Sequence, residues 1–188
     1  MKDYIIRENF LSKEFCDELV MLSEEKGYDE ADISYTSGAR MNKEYRDNYR
    51  CLYRDENLRV QLESLVLEMA PKEVTFIQEG GVLIKKELLG LSGNFRFYKY
   101  LPGNKFKKHR DTNQLEEGGV SLYTVLFYLN DVEEGGETAV YDPSLENRIL
   151  VKAETGKLLI FNHTIVHTGE EVTKGIKYVL RTDLIYKV

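Results

Sequence analysis

The feature that most constrains this chain is a change of hydrophobic rhythm near residue 73. From Val74 onward, short runs of Val, Ile, Leu, Phe, Tyr and Thr alternate with Gly, Asn and acidic clusters, and no helical period intervenes. Such punctuation selects antiparallel sheet, because parallel strands need long crossovers that usually carry a helix. The pattern predicts strands over 94–101, 106–111, 122–130, 138–141, 149–151, 157–161 and 176–186, with Pro102-Gly103-Asn104 as a tight turn between the first two. So many short strands bury their apolar faces only by closing into a sandwich, barrel or jelly roll.

The first 72 residues follow a different period. Ser12 can cap a helix whose apolar residues Phe15, Cys16, Leu19, Val20 and Leu22 recur at three- and four-residue spacing, with Gly27 as its stop. A second helix fits from the cap Asp55 through Leu58, Leu62, Leu65, Val66 and Met69 to Ala70-Pro71. Between them lies a polar stretch rich in Arg and Tyr, read as loop plus a short strand over 49–53. The expected fold class is α+β, with helices confined to one side of a β core. A chain of 188 residues buries enough surface for one core without staples. The expectation is a single domain over 1–188, with 1–72 as helical support and 73–188 as the β core.

Composition narrows the setting. Two cysteines, Cys16 and Cys51, allow at most one bridge, far from a secreted disulfide framework. Cys16 on the helix stripe reads as a buried thiol. In the first ten residues, MKDYIIRENF, charges confine the apolar run to Tyr4-Ile5-Ile6, and nowhere do 18 uncharged apolar residues run together. A cytoplasmic protein with no membrane span is expected. Lys and Arg number 26 against 32 Asp and Glu, a net charge of −6 that argues against general nucleic-acid binding.

The chain has only three histidines, His109, His163 and His167. In Lys107-Lys108-His109-Arg110-Asp111, an extended backbone would project His109 and Asp111 from the same face. An imidazole and a carboxylate side by side are two of the three ligands of the facial triad that binds non-haem Fe(II) with open positions. The third ligand must come from His163 or His167. Strand parity does not separate residues four apart, but the context His167-Thr168-Gly169 ahead of an alternating strand favours His167. On that strand Lys177 and Arg181 share a face. If it looks inward, the interior holds one or two cations whose burial calls for an anionic ligand.

Several ordered motifs resemble a known family. Ile5-Ile6 through Phe10-Leu11-Ser12, with Cys16 and Leu19, is similar to an opening strand and helix. Phe97-Tyr98-Lys99-Tyr100 with Pro102-Gly103 and Phe106 precedes His109-x-Asp111. Leu126 to Asn130, Glu134-Gly135-Gly136-Glu137-Thr138, His167-x-Gly169-x-x-Val172 and Gly175-x-Lys177-Tyr178-x-Leu180-Arg181-x-Asp183 follow in order. Together they resemble the Fe(II)- and 2-oxoglutarate-dependent oxygenases, within them the prolyl 4-hydroxylase-like branch, over most of the chain.

The resemblance implies a double-stranded β-helix, a jelly roll with iron at its mouth. It implies His109, Asp111 and His167 as the metal ligands and catalytic residues, and Lys177 as the partner of the distal carboxylate of 2-oxoglutarate, with Arg181 as the alternative. Tyr100 and Tyr128 resemble residues lining the cosubstrate pocket, against the plainer reading that tyrosines on strand faces are core. The implied cofactors are Fe(II), 2-oxoglutarate and O2, with ascorbate as a candidate reductant. The implied reaction hydroxylates a C–H bond of a prolyl or other amino-acyl residue in a protein or peptide, releasing succinate and CO2. A carboxylate at Asp111 argues against halogenation, where related enzymes have a small residue. Two other readings stand beside it: hydroxylation of a free amino acid or small metabolite, and a non-catalytic cupin-like metal-binding module. Two His and one carboxylate also suit a zinc hydrolase, against which Lys177 weighs. The blander expectations are His163 as a structural or rim histidine, 131–137 as an exposed acidic turn, and Lys105, Lys107, Lys108 and Arg110 as a solvated strand face. The cationic, tyrosine-rich stretch 40–54 is expected to contribute to substrate cover.

Overall fold

The computed structural model describes residues 4–31, 33–35, 38–40, 44–77, 83–116 and 118–188. Two antiparallel sheets form the body. The larger has ten strands, in the order Tyr4–Arg7, Leu158–Asn162, Gly119–Tyr128, Lys177–Lys187, Asn94–Tyr100, Tyr49–Arg54 and Asp29–Glu30. Leu115–Glu116 pairs with the start of Gly119–Tyr128, and the hairpin of Glu73–Ile77 and Leu83–Leu91 joins the far half of Lys177–Lys187. The smaller sheet runs Arg148–Val151, Thr138–Tyr141, His167–Gly169, Lys105–His109 and Arg46–Asp47. Facing sheets of this kind make the expected jelly roll.

Side-chain alternation builds two cores. On one face of the large sheet, Phe95, Phe97, Val125, Phe127, Leu158, Ile160, Leu180 and Leu184 pack against the two helices. On the other face Leu126, Tyr128, Leu159, Phe161 and Val179 meet Val140 and Val151 of the small sheet. Period two thus sends neighbours such as Phe127 and Tyr128 into different cores. Each fully buried aromatic or aliphatic side chain contributes about 1.5–3 kcal/mol.

Both helices form where their caps predict. Helix α1 spans Lys13–Lys26, with the Ser12 hydroxyl accepting from the Phe15 N–H and Gly27 at φ 83° closing it. Helix α2 spans Glu56–Val66, with the Asp55 side chain accepting from the Leu58 N–H. It ends earlier than the apolar period suggests: Met69 and Ala70 both donate to the Val66 carbonyl in a tightened turn ahead of Pro71. Cys16, Leu19, Leu58, Leu62 and Val66 are buried against the large sheet, and both cysteines are free thiols.

Three features depart from the expectation. The strands expected at Ile5-Ile6 and over 49–53 form as Tyr4–Arg7 and Tyr49–Arg54, but they are integral to the large sheet, so the first 72 residues are more than helical support. The hairpin over 73–91 was absent from the predicted strands. Along Leu83–Leu91 exposed and half-buried positions alternate up to Gly90, but Lys86 shares the half-buried face and Leu83 and Leu89 the exposed one, so the sequence shows no period of two. The segment 131–137 is no free turn: Glu134–Gly135 pairs with Val172–Lys174, and Asp131 accepts from the Thr155 N–H. Of the stretch 40–54, residues 41–43 lie outside the described residues, while Arg46–Asp47 and Tyr49–Arg54 edge the two sheets. Among the described residues no helix is long and apolar enough to cross a membrane.

Candidate metal and cosubstrate site

His109, Asp111 and His167 converge between the sheets at one end of the body. One ligating atom from each lies within 4.8 Å of the others. His109 ends its strand and is paired in register with His167 on the neighbouring strand, their ring centroids 4.1 Å apart. His109 Nε2 is 3.9 Å from Asp111 Oδ1, and His167 Nε2 is 3.7 Å from Asp111 Oδ2. Parity on an extended strand did not bring His109 and Asp111 together. The register shifts between Phe106 and His109, and Asp111 lies in coil beyond the strand's end. Its carboxylate is instead held from the large sheet: the Thr124 hydroxyl donates to Oδ2 at 2.5 Å and Arg181 Nη1 to Oδ1 at 2.7 Å.

Backbone carbonyls orient both imidazoles. His109 Nδ1 lies 2.7 Å from the Lys107 oxygen and His167 Nδ1 lies 3.1 Å from the Ile165 oxygen. A carbonyl only accepts, so each Nδ1 carries the proton and each Nε2 keeps its lone pair facing the centre. Phe106 stacks on His109 at 3.6 Å and Phe161 packs against His167 at 4.5 Å, fixing the ring planes. Burial, with the neighbouring His167, pushes His109 down to about 3, and burial also lowers His167. Burial alone would raise Asp111, but Arg181, the two imidazoles and the Thr124 hydroxyl outweigh it and hold the carboxyl well below the usual range. Two neutral imidazoles and one carboxylate are thus the ready form of a metal-ligand set.

Lys177 lies in the same cavity, 3% exposed. Its Nζ donates to the Gly136 carbonyl at 2.5 Å and sits 5.2 and 5.6 Å from the ring centroids of Tyr100 and Tyr128. Among the described residues it has no carboxylate partner. Burial pushes it down to about 8, only partly offset by the more distant Glu137 and Glu170. Gly136 sits at φ 72°, and a Cβ there would meet Val172 at 3.0 Å and Lys177 Cδ at 3.5 Å. This glycine keeps the acceptor carbonyl close beside the lysine stem. Sequence reasoning placed it in an acidic turn and in the motif Glu134-Gly135-Gly136-Glu137-Thr138, without a role beside Lys177.

The two cations on one strand have different surroundings. Arg181 bridges Asp111 and Asp183, with Nη2 3.1 Å from Asp183 Oδ1, whereas Lys177 faces open cavity and two phenols. Tyr100 lines the cavity; Tyr128 lies behind Lys177, its hydroxyl donating to Thr138 at 2.7 Å. Burial raises both phenols. His163 does not join the triad: it is buried between Asn113 at 3.0 Å and Asp183 at 3.3 Å. Sequence reasoning missed Thr124 and Tyr98, which also line the cavity. Their signal was present, since Thr124 shares its face with Leu126 and Tyr128, and Tyr98 with Tyr100.

Lys105, Lys107, Lys108 and Arg110 divide in their contacts. Lys105 pairs with Glu171 at 2.5 Å, Lys108 lies 4.0 Å over the Tyr141 ring, and Arg110 Nε donates to the Thr164 carbonyl.

The family model described as the 2OG-Fe(II) oxygenase superfamily matches residues 95–182, the stretch that contains the triad, Lys177 and Arg181. Over that stretch the chain is similar to the superfamily. Its members use Fe(II), 2-oxoglutarate and O2. The chain is also 32% identical over 84 residues to a PKHD-type hydroxylase of Prochlorococcus marinus, a match covering 44% of the chain and 37% of the relative. The chain spans well under half the length of the curated relatives it matches. Among solved structures it is similar to a Trichoplax adhaerens prolyl hydroxylase in complex with a hypoxia inducible factor oxygen degradation domain peptide fragment. The TM-score is 0.72 at 17% identity, over 98% of this chain and 84% of that one. A Pseudomonas putida prolyl-4-hydroxylase gives 0.69 at 14% identity, over 97% and 92%. At these identities the structural likeness establishes the double-stranded β-helix fold.

The residues present fit the metal and the keto acid. Two oriented Nε2 lone pairs and a carboxylate form a facial donor set, and a buried cation that has no carboxylate partner among the described residues shares its cavity.

Proposed function

We propose that this chain is a 2-oxoglutarate-dependent dioxygenase in which His109, Asp111 and His167 hold Fe(II) and Lys177 holds the distal carboxylate of 2-oxoglutarate. The observation that carries the reading is the shared cavity of the triad and Lys177, whose buried ammonium has no carboxylate partner among the described residues. A cation desolvated to this degree is retained at a cost that a bound carboxylate offsets. A bare metal-binding module needs no such group. Arg181, already shared by two carboxylates, is the weaker anchor.

Bound iron with 2-oxoglutarate and O2 supplies oxidative decarboxylation to succinate and CO2, with one oxygen atom delivered to a substrate C–H bond. The chain's own contribution is geometric and electrostatic. The Lys107 and Ile165 carbonyls set the imidazole tautomers, Thr124 and Arg181 orient Asp111, and Lys177 fixes one end of the keto acid. Tyr98, Tyr100 and Phe161 wall the cavity from water. The core over 73–188 carries the site, and 1–72 adds two helices and the strands Tyr4–Arg7 and Tyr49–Arg54.

For the substrate, we infer a prolyl or other amino-acyl residue in a protein or peptide. The structural neighbours named as prolyl hydroxylases, one of them bound to a peptide fragment, support this class. The test is anaerobic addition of Fe(II) and 2-oxoglutarate, expected to give a weak visible charge-transfer band, followed by succinate release on admitting O2. Folded protein that shows neither refutes the oxygenase reading. A screen of proline-containing peptides against free amino acids, scored by the mass gain of one oxygen atom, tests the substrate class separately.

A further inference from the structure

Behind the triad a chain of charges runs from the buried Asp111 to the partly exposed Arg96. Arg181 forks between two carboxylates, Nη1 to Asp111 Oδ1 at 2.7 Å and Nη2 to Asp183 Oδ1 at 3.1 Å. Asp183, 1% exposed, takes Arg96 Nη1 on its second oxygen at 2.7 Å and His163 Nε2 at 3.3 Å. Asp111, Arg181, Asp183 and Arg96 alternate in sign, so the four charges cancel before any metal arrives. An arginine pressed against a metal-ligand carboxylate is not neutral toward the metal. It stabilises the empty site and repels a divalent cation in a setting where burial keeps screening weak.

We propose that Arg181 is the resident counter-ion of Asp111, competing with the metal for that carboxylate, and that Asp183 sets how strongly it competes. The proposal rests on the assignment of His109, Asp111 and His167 as metal ligands. Arg181 is therefore a positioning residue that acts through Asp111. Its planar fork suits the task, since one guanidinium can bond two carboxylates at once, which a lysine ammonium cannot do with the same geometry. Asp183 draws part of the guanidinium charge away from Asp111, and Arg96 in turn limits what Asp183 can give. Affinity for the metal is then tuned from the partly exposed end of the chain, at Arg96, without altering a ligand.

The test uses the full chain and Mn(II) alone, titrated calorimetrically without 2-oxoglutarate, with thermal melting of the metal-free protein alongside. Arg181→Gln should bind Mn(II) about tenfold more tightly while its metal-free form melts lower, because the buried Asp111 charge loses its counter-ion. Asp183→Asn should bind about tenfold more weakly, since Arg181 then falls wholly on Asp111. Arg96→Gln, at a partly exposed position and paired with Asp183, should tighten binding about threefold and serves where Asp183→Asn does not fold. A structural role alone would weaken all three in the same direction. Folded Arg181→Gln and Arg96→Gln with unchanged or weaker Mn(II) affinity overturn the proposal while leaving the ligand assignment standing. Wild-type protein that binds no Mn(II) overturns the assignment, and the proposal with it.

Discussion

Replacing Lys177 with methionine should move stability and cosubstrate affinity in opposite directions. Methionine keeps the length of the stem and removes the charge. In the metal-free protein Lys177 titrates at about 8 against an ordinary 10.5. That gap means the folded chain carries the ammonium at a disadvantage of roughly 3 kcal/mol below pH 8. Losing the Gly136 hydrogen bond returns about 1 kcal/mol of that gain. Lys177→Met should therefore stabilise the metal-free protein by about 2 kcal/mol, raising its Tm by about 4–8 °C for a chain of this size. With the cation gone, the distal carboxylate of 2-oxoglutarate is buried unpaired, at a cost of about 3–5 kcal/mol, so affinity should fall at least about a hundredfold. Melting with and without Mn(II) and 2-oxoglutarate, with calorimetric titration of the keto acid, reads both effects. The sign also depends on pH. Between about 8 and 10.5 the unfolded chain binds the proton that folded Lys177 has released, so wild-type stability gains with rising pH there. The variant should lack that gain. A lower Tm, or 2-oxoglutarate affinity that survives the substitution, would refute the reasoning and return Arg181 as the anchor.

Three further outcomes follow from the geometry. Pairing with a carboxylate restores the Lys177 proton, so above pH 8 binding of 2-oxoglutarate should take up a proton and weaken by up to about tenfold per pH unit; titration in buffers of different ionisation enthalpy measures the uptake. His109→Ala should abolish Mn(II) binding, whereas His163→Ala, which removes a buried partner of Asn113 and Asp183, should cost about 1–3 kcal/mol in urea unfolding and keep a metal site. Equal losses of binding would reassign the ligands. Gly156→Ala should cost about 3 kcal/mol with Mn(II) affinity unchanged, because Gly156 sits at φ 77° and a Cβ would lie 2.1 Å from the Leu11 carbonyl oxygen. Wild-type melting of that variant would show the 10–11 and 156 contact to be dispensable.

Much of the architecture was legible in local pattern. Ser12 and Asp55 act as caps where the sequence has them, and the run over 138–141 is a strand with its predicted limits. Elements escaped detection where the physical signal is weak. The strand Leu83–Leu91 alternates between exposed and half-buried positions, but Lys86 lies on the half-buried face and Leu83 and Leu89 on the exposed one, so its residue types do not alternate. The two-residue strands at 46–47 and 134–135 exist because a partner strand supplies their hydrogen bonds, which local sequence does not encode.

What the sequence determined alone is the inventory and its local constraints: three histidines, a carboxylate two residues from one of them, two cations on one face of a strand, and a β rhythm that forces closure. Tertiary structure decided the assignments, because each depends on partners distant along the chain. His167 and not His163 completes the triad because pairing sets it beside His109, while the turn at 162–166 turns His163 toward Asp183. Asp111 reaches the centre from coil because Thr124 and Arg181, 13 and 70 residues away, hold its two oxygens. Lys177 and Arg181 are equivalent by parity. Only the fold gives one of them two carboxylates and leaves the other facing an open cavity, and burial turns that difference in neighbours into a difference in chemistry.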